Sequence, residues 1–133
     1  MPLLQEIYIE DPWKMLVACI LLNQTSYKQV HLIRDELFEL YPGPESMSVA
    51  DERELAELLR PLGLYNRRAV TLKKFSEQYL KGFSEVGDLY GIGKYAVDSW
   101  KIFQDGDLSV RPTDSVLQRY LRGEFGPVKK SSK

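Results

Sequence analysis

Leu89-Tyr90-Gly91-Ile92-Gly93-Lys94-Tyr95-Ala96 is the segment of this 133-residue chain whose residue types point most directly to chemistry. Two glycines around one aliphatic residue allow a tight reversal with positive φ between two short helices. Ile92 is expected to plug the gap between those helices. The N–H groups after Gly91 and Gly93 are then expected to face outward at a helix start. Free amides and the helix dipole make an anion site there, and Lys94 adds a cation beside it. Such a grip holds one phosphate and reads no base. An ordinary helix–turn–helix corner is the alternative, because Gly-x-Gly is a common pattern. Further on, Asp114 stands at the expected start of the last helix, with Thr113 as a rival for the cap. Local sequence favours a plain capping role for this carboxylate. The helix dipole would equally favour a negative charge held there for chemistry. Asp98, four residues past Lys94, reads as an ion-pair partner or as a brace for the last loop. His31 lies among charged neighbours and receives no role.

The elements that must carry these residues read as short helices separated by Gly, Pro and capping residues, with no run of alternating strands. Asp11-Pro12 is a helix start, a capping carboxylate followed by proline at the first helical position. Trp13 to Leu22 is apolar on nearly every face, which predicts a central buried helix. Asn23-Gln24-Thr25-Ser26 interrupts it. A second helix is expected over about 27–41, with Val30, Ile33, Leu37 and Leu40 inward, ended by Pro42-Gly43-Pro44. Asp51 and Glu54 have the spacing of a capping box before a third helix with Leu55, Leu58 and Leu59. Asn66 is expected to cap a fourth, in which Ala69, Leu72, Phe75 and Tyr79 face inward. Trp100 and Phe103 read as core. A loop from Gln104 to Pro112 leads to a last helix over about 113–122, and residues 123–133 are expected to fray. The pattern predicts one all-α domain over residues 1–133. It is divided into two lobes with a cleft between them, because the loop returns the last helix to the start of the chain.

Composition narrows the function classes. Apolar residues make up 44% and charged residues 28%, a globular balance. The longest apolar run, Met15 to Leu22, is far short of the roughly 20 residues of a membrane-spanning helix, so no membrane partner is expected. No basic-then-apolar leader opens the sequence, which reads as intracellular. One cysteine, Cys19, and one histidine leave no residues for an internal disulfide, an iron–sulfur cluster or a Cys- or His-based metal site. Net charge is −1, but it is unevenly spread. Residues 1–60 carry 5 Lys/Arg and 11 Asp/Glu, whereas residues 61–133 carry 13 and 8. The C-terminal half can therefore present a positive face to an anion.

Leu89 to Ala96 resembles the helix–hairpin–helix of the DNA glycosylase superfamily that includes endonuclease III and the adenine mismatch glycosylases. That superfamily places an aspartate about twenty residues on, and Val110-Arg111-Pro112-Thr113-Asp114 supplies one here, 19 residues after Tyr95. Further blocks resemble the thymine/uracil mismatch glycosylase domain of methyl-CpG-binding domain protein 4 and its fungal and plant relatives. They are Leu4-Gln5-Glu6, Asp11-Pro12-Trp13-Lys14, Leu21 to Ser26, Leu58 to Tyr65, the hairpin itself and Arg119-Tyr120. The likeness covers roughly residues 3–122.

The resemblance implies a helix–hairpin–helix glycosylase fold and an enzyme of base excision repair, nuclear if eukaryotic, acting on double-stranded DNA with a mismatched or damaged base; monomer is the default expectation. It implies no iron–sulfur cluster or other cofactor; a monovalent cation on the hairpin carbonyls stays open. It assigns Asp114 as the catalytic carboxylate, with Tyr95 packed on the extruded base. Relatives that also cut the backbone have a lysine at that place, so Tyr95 implies a monofunctional enzyme. Gln5 would hydrogen-bond the pyrimidine edge, with Leu4 alongside. Gln24 and Leu64 would enter the duplex as a polar finger and an apolar plug. Gly91, Ile92, Gly93, Lys94 and Ala96 would hold the DNA backbone. Gln24 replaces an arginine of the animal relatives, and Ser115 replaces a histidine common after the aspartate. Another base specificity, a DNA-binding module without catalysis and a protein-interaction bundle remain the alternatives.

Overall fold

The run from Met15 to Leu21 has no polar side chain, so it is stable as a helix only where every face is covered. The computed structural model, which describes residues 2–132, places it at the centre of the fold as α2 (Pro12–Leu21). Asp11 caps this helix by accepting from the Lys14 N–H at 3.1 Å, and Pro12 occupies the first turn. All residues from Met15 to Leu21 are buried. The Trp13 indole N–H donates to Ser76 Oγ at 3.1 Å and ties α2 to α6 (Tyr65–Lys81).

The other helices are α1 (Leu4–Ile7), α3 (Tyr27–Leu40), α4 (Pro44–Ser48), α5 (Glu52–Leu59), α7 (Lys94–Trp100) and α8 (Ser115–Leu121). No strand occurs among the described residues. α4 and α5 pack on α6 to form one lobe, and α1 and α7 pack on α2 to form the other. Ser26 and Gln29 cap α3 reciprocally, and Asp51 accepts from the Glu54 N–H at 3.0 Å to start α5. The all-α, two-lobed architecture expected from the pattern is present.

Several local expectations are corrected. α1 and α4 were not foreseen; Pro44 opens α4 besides following the end of α3. Leu40 is 57% exposed, and Phe38 takes the inward place, its ring edge-on to Tyr8 and Trp13. Asn66 does not cap α6. The helix begins at Tyr65 because Leu64 turns the chain in the left-handed region, with φ 46°. α7 winds on into a five-residue π turn, Lys101–Asp105, before the loop. The segment expected to fray is docked in part: the Ser131 N–H donates to the Phe103 carbonyl at 2.7 Å, and the Lys129 N–H to the Tyr120 hydroxyl at 2.8 Å.

Cys19, in the buried middle of α2, has its thiol pushed up to about 12 by burial, with a Ser99 hydrogen bond acting the other way. A thiol so raised stays protonated at about pH 8, where an ordinary cysteine of pKa ~8.5 alkylates readily. Iodoacetamide followed by intact mass is expected to leave the native protein unmodified and to add one label after denaturation. Rapid labelling of the native protein would contradict this placement of α2.

Candidate functional site

The hairpin is built around one left-handed glycine rather than two. Gly91 has φ 79°, and a side chain there would meet Thr71 Cγ2 of α6 at 2.6 Å. Gly93 is extended, with φ −106° and ψ −167°. The Ile92 side chain packs, half-buried, against the core as the expected plug. The Ile92 N–H is turned inward to the Leu89 carbonyl at 3.2 Å, so the amide after Gly91 does not face out. The first turn of α7 supplies the outward amides instead. Lys94, Tyr95 and Ala96 have no backbone acceptor among the described residues.

The Lys94 ammonium is engaged. It donates to Asp98 Oδ2 at 2.8 Å and to the Arg111 carbonyl at 3.1 Å. Asp98 is therefore both an ion-pair partner and, through Lys94, part of a brace on the last loop. That loop ends at Asp114, the cap of α8, whose Oδ2 accepts from the Leu117 N–H at 2.9 Å. Thr113 does not compete for the cap. Oδ1 of Asp114 takes no hydrogen bond from the described residues. Capping uses one oxygen and leaves the other for solvent or a ligand, so the two readings of this residue are compatible.

A cleft of about 800 Å³ lies between the lobes. Asp114, Tyr95, Gln5, Leu4, Gln24, Leu64, Gly91, Gly93, Lys94 and Ala96 all line it; of the residues that the resemblance assigns to the site, Ile92 does not. Gln5 is only 2% exposed on α1, and its Nε2 donates to the Tyr95 hydroxyl at 2.7 Å and to Ser99 Oγ at 3.1 Å. Both amide hydrogens are thereby engaged. The Gln5 carbonyl oxygen has no hydrogen-bond partner among the described residues and keeps some contact with solvent, and Gln5 lines the cleft. Burial pushes the Tyr95 phenol well above its ordinary value; Cys19 and Asp114 nearby act the same way, and the Gln5 hydrogen bond opposes them. Tyr95 is thus a neutral, half-buried ring with its hydroxyl fixed.

Two turns meet at the cleft mouth. Gln24 and Leu64 have φ 63° and 46° and are the non-glycine residues with positive φ among the described ones. Each such conformation costs about 1–3 kcal/mol unless the surroundings enforce it. Both side chains are exposed, Leu64 at 52%. Beneath them lies Arg68, which is 6% exposed. Its Nε donates to the Gly63 carbonyl at 2.9 Å and its Nη2 to the Asn23 carbonyl at 3.0 Å. Burial lowers its pKa, with no carboxylate beside it to reverse the effect.

Sequence reading missed Arg68, along with Arg67, Tyr27 and Thr71 in the cleft wall. A signal for Arg68 existed: it lies four and seven residues before Leu72 and Phe75, on the inward stripe of α6. A charge on such a stripe must find buried partners. Arg67 is exposed at the rim and makes no ion pair among the described residues, which suits a phosphate. Tyr27 is stacked on His31, ring centres 5.5 Å apart, so the histidine supports the wall indirectly. Among the described residues no three His, Cys, Asp or Glu side chains gather as a metal site, and no helix is long and apolar enough to cross a membrane.

Comparison with known proteins agrees with this geometry. A methyl-CpG-binding domain protein 4-like protein of Arabidopsis thaliana is 38% identical over 120 residues, covering 89% of this chain and 27% of the relative. A thymine/uracil-DNA glycosylase of Pyrobaculum aerophilum is 37% identical over 94 residues, covering 65% of this chain and 41% of the relative. The chain thus spans between a quarter and half of the length of these relatives. The solved structure of a thermostable thymine-DNA glycosylase superposes with a TM-score of 0.66 at 28% identity, covering 70% of this chain and 46% of that one. An endonuclease III trapped as a covalent intermediate with DNA shares the fold, with a TM-score of 0.67 at 24% identity, over 87% of this chain and 58% of that one. The model of HhH-GPD superfamily base excision DNA repair proteins matches residues 17–129, and the chain belongs to that superfamily.

Proposed function

We propose that this chain is a monofunctional DNA glycosylase that extrudes thymine or uracil mispaired with guanine and hydrolyses its N-glycosidic bond. The observation that carries the reading is the shared cleft: Asp114, the Tyr95–Gln5 pair and the two exposed turns open on one space. As the base departs, the anomeric carbon of the deoxyribose gains oxocarbenium character, as in glycoside cleavage generally. The free oxygen of Asp114 stabilises that charge and orients a water for attack. The water adds its hydroxyl to the sugar, its proton goes to the departing base, and an abasic site remains.

The other cleft residues divide the work of holding the DNA. Tyr95 stacks on the extruded base, and the open carbonyl of Gln5 accepts from the N3–H of a thymine or uracil. Gln24 and Leu64 fill the vacated stack, which lowers the few kcal/mol that extrusion requires. The α7 amides, with Arg67, hold phosphate. Lys94 contributes mainly by bracing the loop of Asp114, since its ammonium already has two protein partners. Tyr95 forms no Schiff base, and no lysine stands in its place, so the product is not cleaved further. In a eukaryotic cell the nucleus is the expected place of such a substrate. The capping bond of Asp114 also fits a DNA-binding module without catalysis, and base release separates the two readings.

Asparagine at position 114 keeps a carbonyl oxygen for the Leu117 N–H, so Asp114→Asn is expected to fold normally. Its loss of charge is expected to slow base release from a G·U or G·T duplex about 10²–10³-fold. Alkali cleavage after incubation reads the rate, and equal rates for the two proteins, or no release by the wild type, would reject the assignment. Borohydride added during turnover is expected to trap no protein–DNA adduct; a trapped adduct would mean that a lysine attacks the sugar. A third substrate tests Gln5. N3-Methyluracil opposite guanine pairs more weakly than uracil and is easier to extrude, yet it has no imide hydrogen. It should be released more slowly than uracil, whereas faster release would remove Gln5 from base recognition.

A further inference from the structure

We propose that Arg68 is a positioning residue that sets both duplex-entering turns together, so that base extrusion, rather than bond cleavage, depends on it. The inference rests on the glycosylase reading above and adds a function for a residue outside the reacting centre.

The two carbonyls that Arg68 holds come from segments far apart in the sequence, one after α2 and one before α6. Each belongs to the peptide immediately before a left-handed residue. The Asn23 carbonyl lies in the peptide that leads into Gln24, and the Gly63 carbonyl in the peptide that leads into Leu64. The φ angle is the rotation that follows that peptide plane. Fixing the plane therefore fixes where each side chain starts. Gln24 and Leu64 are also the two described non-glycine residues that adopt the unfavourable φ. Both strained non-glycine positions among the described residues are thus next to a hydrogen bond from one side chain.

The chemistry of that side chain suits the task. A guanidinium is a rigid planar fork, so its Nε and Nη2 hold their two acceptors at a set separation. The fork is itself anchored, because Arg68 is buried on the face of α6 that carries Leu72 and Phe75. No carboxylate neutralises it in this structure, and the two carbonyls are its hydrogen-bond partners. If one turn moved, the buried cation would lose one of its two hydrogen bonds, which couples the turns to each other. A lysine ammonium is a point charge on a flexible stem and imposes no such spacing.

The test compares duplex and single-stranded substrates for the wild type, Arg68→Lys and Arg68→Gln. The glutamine variant keeps one neutral donor and buries no charge. In a single-stranded uracil oligonucleotide the base needs no extrusion from a stack, so the fingers have no work there. Single-turnover release from a G·U duplex is expected to fall about 10–100-fold in both variants, the scale of a small misplacement of a positioned group. Release from the single strand is expected to stay within about twofold of wild type, since the groups at the reacting centre are unmoved. 2-Aminopurine placed beside the target base is expected to lose its fluorescence rise on binding, a direct sign of failed extrusion. Equal loss on both substrates, including loss through misfolding of both variants, would overturn the proposal in favour of a general packing role. Unchanged duplex release would overturn it as well. A wild type inactive on both substrates would sink the glycosylase reading itself.

Discussion

Asp98 is a carboxylate with almost no access to water, and the position of Asp114 follows from how that charge is met. A buried carboxylate without a partner is strongly unfavourable. Lys94 meets it at 2.8 Å, one helical turn away on α7. The same ammonium then reaches the Arg111 carbonyl at 3.1 Å. From the other side, Gln118 Nε2 of α8 donates to the Pro112 carbonyl at 2.8 Å. Pro112 itself has a fixed φ. Arg111 and Pro112, just before Asp114, are thus clamped between the hairpin helix and the helix that Asp114 caps. The hairpin and the carboxylate are a single unit, so a ligand held at the hairpin lies at a set distance from the acid. Removal of Asp98 would free Lys94 and loosen the loop at a distance from the cleft.

Much of this was legible in the sequence, and the reasons differ from place to place. Asp11-Pro12 announces α2 because capping and proline chemistry are local. The inward stripe of α6 is legible because burial imposes a 3.6-residue period. The cleft residues were assigned through the resemblance of several sequence blocks to a glycosylase family, and Asp114 and Tyr95 do line one cleft. α1 and α4 are one turn or little more, too short for a periodic signal, and they are held by tertiary contacts. The entry to α6 was misread because Asn66 is a good cap by type, whereas the tight turn at Gly63-Leu64 decides where the helix begins. Arg68 could be flagged as a charge on a buried stripe, but its two carbonyl partners lie in other segments and no local rule names them. The C-terminal segment docks through long-range hydrogen bonds to Phe103 and Tyr120, which composition alone does not reveal.

The uneven charge of the chain acquires a meaning in the fold. The cations that reach the cleft, Arg67, Arg68 and Lys94, all come from the basic second half of the sequence. They have different duties. Arg68 is buried and holds carbonyls, Lys94 is shared between a carboxylate and a carbonyl, and Arg67 remains for an external anion. A count of basic residues near a cleft would therefore overstate its attraction for DNA. Only a cation not already committed to the protein can release counterions on binding.

Gln5 shows how a neighbouring network can decide what an amide recognises. A free glutamine both donates and accepts, and would tolerate several base edges. With Nε2 committed to Tyr95 and Ser99, it faces the cleft as an acceptor. Thymine and uracil carry an imide hydrogen that matches this oxygen, whereas neutral cytosine presents a lone pair at the same ring position and would meet an acceptor with an acceptor. In a buried site that mismatch is more costly than a missing contact, because neither group recovers its water. The hydroxyl of Tyr95 belongs to the same argument. Were the ring exposed, its hydroxyl could rotate away and release the Gln5 amide. Held in place by burial, it keeps the donor half of Gln5 occupied together with Ser99. On the proposed function, discrimination among pyrimidines would depend less on the residue that touches the base than on the two hydroxyls behind it.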